Sequence, residues 1–129
     1  MATILVVDDD VLVRYFGLDV LAEAGFEALG AKHADEAVAI LENRHDVRIL
    51  FTDVHMPGAS MDGFALARYV ADRWPDIGII VVSGLAAPRP GDMPPGARFH
   101  SKPYNSITVL TDVRDLLASR SLGSQRSPI

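Results

Sequence analysis

Thr3-Ile4-Leu5-Val6-Val7-Asp8-Asp9-Asp10 is the stretch that decides how this chain folds. Five uncharged residues, four of them branched aliphatics, run directly into three carboxylates. A strand buried on both faces reads as such an unbroken apolar run, as in a parallel sheet covered by helices. Residues 47–52 and 77–82 repeat the pattern, and each run ends at a polar residue, Asp53 and Ser83. Residues 26–31 and 97–101 are two weaker runs, the second followed by Lys102.

Helical spacing fills the intervals. Val11, Tyr15, Leu18 and Ala22 share a face, and Gly25 stops the helix. Ala37, Ile40 and Leu41 mark a shorter second helix. Phe64, Ala67 and Val70 mark a third, closed by Pro75, with Trp74 packing its end. Val109, Val113, Leu116 and Leu117 mark the last, with Asn105 or Ser106 as N-cap. Strand and helix alternate, which implies an α/β fold with a doubly wound five-stranded parallel sheet. One interval breaks the rhythm. Between Gly84 and Gly96 stand Pro88, Pro90, Pro94 and Pro95. An interior proline destabilises a helix by roughly 3 kcal/mol. This crossover is therefore expected to be loop, with the fourth helix of a regular alternation absent or reduced to a turn.

The composition sets limits. The 129 residues are 49% apolar and 22% charged, enough for one domain with its own core. That domain is read as residues 1–118, followed by a disordered tail, 119–129, rich in serine. There is no cysteine, which excludes disulfides, thiolate zinc sites and cysteine nucleophiles. Twelve basic against seventeen acidic residues leave a formal charge of −5, which argues against direct nucleic-acid binding. No apolar run approaches the roughly 20 residues of a membrane helix. No basic region precedes the first run, so no signal peptide is read and a cytoplasmic location is expected.

Ligands of open α/β sheets bind beyond the carboxyl ends of the strands. Those ends carry Asp8, Asp9 and Asp10, then Asp53, Ser83 and Lys102. Asp10 suits a helix cap. Crowded carboxylates raise one another's pKa unless a cation joins them, and Mg²⁺ is the hard, oxygen-seeking candidate. A carboxylate can attack phosphorus to form an acyl phosphate, helped by groups that neutralise the phosphoryl oxygens. His33, His45 and His100 show no metal spacing and no partner acid, and read as surface or capping residues. Arg14 fits either a solvated charge or a docking surface.

These residues, in this order, resemble the receiver domain of bacterial response regulators, in its single-domain, chemotaxis-regulator-like form. The resemblance runs from about Thr3 to Ala118. Its motifs are Val-Val-Asp8-Asp9, Phe-Thr-Asp53-Val-His-Met-Pro57, Met-Asp62-Gly63, Val-Val-Ser83-Gly84 and Ser-Lys102-Pro103-Tyr104. It implies a flavodoxin-like sheet. It also implies that Asp53 is the phospho-acceptor and that Asp8, Asp9, Asp53 and the main-chain carbonyl of His55 hold Mg²⁺. Ser83 would hydrogen-bond the phosphoryl group and Lys102 would pair with it. Phe99 matches the aromatic switch position. The side chains of His55 and Leu85 would flank the path of attacking water and modulate turnover. The Lys102–Pro103 bond would be cis. The implied role is a two-component phosphorelay, with a histidine kinase or histidine phosphotransfer protein as donor. Signalling would then pass by protein–protein contact to an unknown target. Such a protein is a phospho-acceptor with slow self-dephosphorylation rather than an enzyme.

Three features depart from the family pattern. The loop after Met56-Pro57 is two residues longer, Phe99 lacks a tyrosine hydroxyl, and the proline-rich segment replaces a helix. Two rival functions stand beside the leading one. A small phosphatase resembling haloacid dehalogenases would use Asp8 as nucleophile, but no second acidic pair follows Lys102. A receiver-like binding module would never be phosphorylated, against which the full set of site residues argues. A flavodoxin is excluded, because acids stand where its phosphate loop needs Gly, Ser and Thr.

Overall fold

The structure is a computed structural model that describes residues 2–85 and 87–125, the side chains of 120–125 excepted. Its strands are β1 (Thr3–Val7), β2 (Glu27–Ala31), β3 (Val47–Asp53), β4 (Gly78–Ser83) and β5 (Arg98–Ser101). All pairs are parallel, in the order β2-β1-β3-β4-β5. The helices among the described residues are α1 (Val11–Glu23), α2 (Ala34–Asn43), α3 (Gly63–Arg73) and α4 (Ser106–Gln125).

Side chains alternate across a strand, so each apolar run feeds two layers. Leu5, Val7, Leu50, Ile79 and Val81 join Leu41, Leu66 and Val70 beneath α2 and α3. Ile4, Val6, Ile49, Phe51, Ile80 and Val82 join Leu21, Val109, Val113 and Leu116 beneath α1 and α4. Burying a side chain of this size stabilises the fold by roughly 1.5–3 kcal/mol. The two-sided burial is why these strands show no polar alternation.

Each helix begins on a side chain that accepts first-turn amides. Asp10 accepts from Leu12 and Val13, His33 from Glu36, Asp62 from Ala65, and Asn105 from Ile107 and Thr108. Trp74 closes α3, edge-on to Tyr69 with the Arg73 guanidinium over its ring.

No helix occurs among the described residues between β4 and β5. Two turns replace it. Asp92 N donates to Arg89 O at 3.0 Å across Pro90-Gly91, and Ala97 N donates to Pro94 O at 3.2 Å across Pro95-Gly96. Gly91 and Gly96 have φ of +86° and +83°, which with proline before them is the pattern of a type II turn. Arg68 of α3 donates to the Asp92 carbonyl at 2.7 Å, and Met93, Ala97 and Phe99 pack on the α2–α3 layer. The crossover is thus a strap bound to α3.

The backbone of α4 is helical as far as Gln125. The rest of the expected tail, 126–129, lies outside the described residues. No helix among the described residues is long and apolar enough to cross a membrane.

Candidate functional site

The parallel register brings the strand ends to one edge. Val7 lies opposite Thr52, Asp53 opposite Val82, and Ser83 opposite Ser101. Asp8, Asp53, Ser83 and Lys102 therefore stand side by side. The backbone around Asp53 is held by Val54 N donating to Val82 O at 3.1 Å and Gly63 N donating to Val54 O at 2.9 Å. A Cβ at Gly63 would fall 2.0 Å from the Asp53 carbonyl oxygen. Only glycine lets α3 start this close to the acceptor strand.

Lys102 Nζ donates to Asp8 Oδ2 at 2.8 Å and lies 3.2 Å from Asp53 Oδ1. Asp8 and Asp53 are 4% and 7% exposed. Every polar group of Asp8 is engaged. Its N–H donates to Ala31 O, its carbonyl accepts from Arg14, and Oδ1 accepts from the Asp10 amide. Asp9 next to it is exposed. Burial first, and then the charge of Asp8, raise the Asp53 carboxyl above its ordinary pKa, against the pull of Lys102. Burial alone would lower the Lys102 ammonium, but its hydrogen bond to Asp8 and the two carboxylate charges outweigh that and raise it.

Oxygens of Asp8, Asp9 and Asp53 all lie within 4.8 Å of one another. Three carboxylates share the single ammonium of Lys102. The donor set is all oxygen, with one exposed carboxylate free to bind, and this fits a small hard cation. The acidic cluster can hold a metal.

The other predicted residues fall around this group. Ser83 is buried at the end of β4, and its hydroxyl accepts from the Leu85 amide at 3.2 Å. His55 is exposed on the β3–α3 loop and Leu85 is 79% exposed on the first residues of the strap. Phe99 sits apart, on the α2–α3 layer. The Lys102–Pro103 bond is cis. The lengthened β3–α3 loop is tied to α2 by Ser60, whose hydroxyl and amide donate to Asp35.

Three contacts escaped sequence reasoning. His100 does have a partner acid: Nε2 lies 2.6 Å from Asp112 Oδ2, across the β5–α4 connection. Arg98 pairs with Asp112 and Asp115 on the same helix. Tyr104, quoted above only as part of a motif, packs its ring between Phe16 and Phe51. Its phenol is pushed up to about 12 by burial and then by the charge of Asp8. A repeat of acids on the face of α4 that meets β5 was the available signal for the first two. Tyr104 had no sequence signal beyond its place after Lys102-Pro103.

Comparison with known proteins places this geometry. The chain belongs to the response regulator receiver domain family, whose model matches residues 4–90. It is 30% identical over 122 residues to the response regulator receiver protein CpdR of Brucella abortus (strain 2308), covering 91% of this chain and 98% of CpdR. It is 35% identical over 120 residues to the sensor kinase CckA of the same organism, covering 90% of this chain but only 12% of CckA. A crystal structure of a response regulator receiver protein from Sinorhizobium medicae WSM419 superposes with a TM-score of 0.85 at 27% identity. That likeness covers 92% of this chain and 96% of the other.

Proposed function

We propose that Asp53 accepts a phosphoryl group from a phosphohistidine on a histidine kinase or histidine phosphotransfer protein. The observation that carries this is Lys102 Nζ spanning Asp8 and Asp53 at 2.8 and 3.2 Å at the strand ends. An Asp53 carboxylate oxygen attacks phosphorus and the P–N bond breaks. The imidazole departs as the leaving group, and an acyl phosphate remains. Lys102 and Ser83 neutralise the phosphoryl oxygens. Asp8, Asp9, Asp53 and the His55 main-chain carbonyl would hold Mg²⁺, which when bound supplies further neutralisation of those oxygens. Both carboxylate oxygens of Asp8 are tied down, one by the Asp10 amide and the other by Lys102. This weighs against the phosphatase reading.

The donor docks on the exposed apolar start of α1. Val11, Leu12, Tyr15 and Phe16 are 48%, 77%, 57% and 54% exposed. A hollow of about 510 Å³ beside them is lined by Leu12, Val13, Phe16, Lys102, Pro103 and Tyr104. Exposed apolar surface of this kind marks a protein contact. The protein works as a stoichiometric signalling module in the cytoplasm, not as an enzyme, and a downstream protein reads its state through Phe99 and the strap.

A small acyl phosphate with Mg²⁺ is expected to add one phosphoryl group, seen by intact mass. Asp53→Asn should abolish the adduct and Asp8→Asn should only slow it. Loss of labelling in Asp8→Asn with full labelling in Asp53→Asn would reverse the assignment. Leu85 and His55 slow hydrolysis of the acyl phosphate by shielding it. Replacing both with alanine should shorten its lifetime several-fold, and an unchanged decay rate removes them from that role.

A further inference from the structure

Lys102 follows directly on β5, a short strand at the sheet edge, and reaches two carboxylates from there. β5 is four residues long and none of it is fully buried. Two residues on stands Tyr104, which lines the α1 hollow together with Lys102. The Tyr104 ring lies 5.4 Å from the core ring of Phe51, edge-on, and 5.9 Å from the exposed ring of Phe16. Its hydroxyl runs beneath α1 to Gly17, where a Cβ would sit 3.4 Å from the phenol oxygen. A small cavity of about 10 Å³ touches Tyr104, Gly17, Phe51, Asp8 and Asp53 together. On the outer side Tyr104 shares the wall of the α1 hollow with Phe16 and Lys102. Tyr104 and Val13 line both the hollow and the cavity that reaches the two carboxylates.

We infer that Tyr104 is a positioning residue, which sets the Lys102 ammonium against Asp8 and Asp53 and carries contact made at the α1 hollow to that lysine. The ring does this, not the hydroxyl. It is held between Phe51 in the core and Phe16 on the outer side, and Lys102 is joined to it through Pro103. A group pressed on Phe16 bears on the same ring. The inference rests on the acceptor reading for its functional meaning, but its geometry stands without phosphate or metal.

The chain supplies its own measuring device. Lys32 and Lys102 are the only lysines, and Lys32 is exposed. Brief acylation of side-chain amines, read by peptide mass, gives the Lys102 to Lys32 ratio in the metal-free, unphosphorylated protein. In the wild type this ratio is low, because Nζ is held on two carboxylates. Tyr104→Leu should raise it at least threefold, as the amine swings into solvent, and Tyr104→Phe should leave it unchanged. Gly17→Val adds atoms against the Tyr104 hydroxyl, and also against Val6 and Phe51, and should raise the ratio as well. It decides the matter if Tyr104→Leu does not fold. An unchanged ratio in the folded variants, or a rise in Tyr104→Phe equal to that in Tyr104→Leu, overturns the inference. Labelling by a small acyl phosphate should slow in parallel with the ratio. Because the ratio is read without donor, failure of Asp53 to accept phosphate would not be mistaken for failure of Tyr104 to position Lys102.

Discussion

Asp53 is uncomfortable as a free carboxylate, and its discomfort has a measurable sign. Burial and Asp8 raise its pKa in the folded state. A raised acid binds protons more tightly folded than unfolded, so its ionisation opposes folding once the pH exceeds the raised value. Asp53→Asn should therefore melt higher than the wild type at pH 7 without metal. The gap should narrow as the pH falls toward 4 and Asp53 takes up its proton. A variant that melts lower than the wild type at pH 7 contradicts the electrostatic account. Gly63 answers to sterics instead. Its missing Cβ is the space for the Asp53 carbonyl, and overpacking costs typically 1–3 kcal/mol. Gly63→Ala should lose about 3 kcal/mol by urea unfolding, since the obstacle is backbone and cannot rotate away. It should also slow labelling of Asp53, whose strand end it displaces.

At the scale of the element, the β4–β5 strap is the distinctive part. Its prolines forbid a helix and, with Gly91 and Gly96, specify two turns. One end begins just after Ser83, and its middle is held by Arg68 of α3. A phosphoryl group that draws Ser83 inward pulls on the strap directly. Adding a phosphoryl mimic should shift the amide resonances of residues 85–96 together with Phe99. Silence there, with another surface responding, would show that output leaves by a different route. The turns are also local stability elements. Alanine at a positive φ destabilises by more than the 0.4–1 kcal/mol that a favourable replacement gains. Gly91→Ala should therefore lose about 1 kcal/mol and speed amide exchange in the strap, with the strands unaffected.

The whole molecule has two polar ends with opposite duties. At the functional end, like charges are crowded. At the far end they are matched. Thr3 donates to Asp46 at 2.8 Å and to Glu27 at 3.2 Å, while Arg44 pairs with Asp46 at 2.6 Å and Glu27 at 3.3 Å. These contacts stitch together the starts of β1, β2 and β3. Arg44 first, then Thr3, hold the Asp46 carboxyl well below the usual carboxylate range. A depressed acid contributes stability that is present above its unfolded pKa and lost as the pH falls through the folded value. Asp46→Asn should thus melt lower than the wild type at neutral pH, with the two converging below about pH 4. A difference that persists unchanged to pH 2 would mean that packing, not charge, is what Asp46 supplies.

Much of this was written in the chain. Short, Val- and Ile-rich continuous apolar runs fit two-sided strands, so β1, β3 and β4 were legible to within a residue. The polar residue at each run's end named Asp8, Asp53, Ser83 and Lys102, because parallel strands deliver their ends to one edge. The four prolines excluded a helix by backbone chemistry alone. What tertiary structure decided was distance and company. His100 and Asp112 are twelve residues apart and meet only because α4 folds back on β5. The packing of Tyr104 against Phe51 and under Gly17 joins β3, α1 and the β5–α4 connection, whose mutual approach is set by packing. Local preferences act through neighbours along the chain and are therefore readable in it. A contact across the fold depends on how whole layers settle against each other, and residue spacing alone does not fix it.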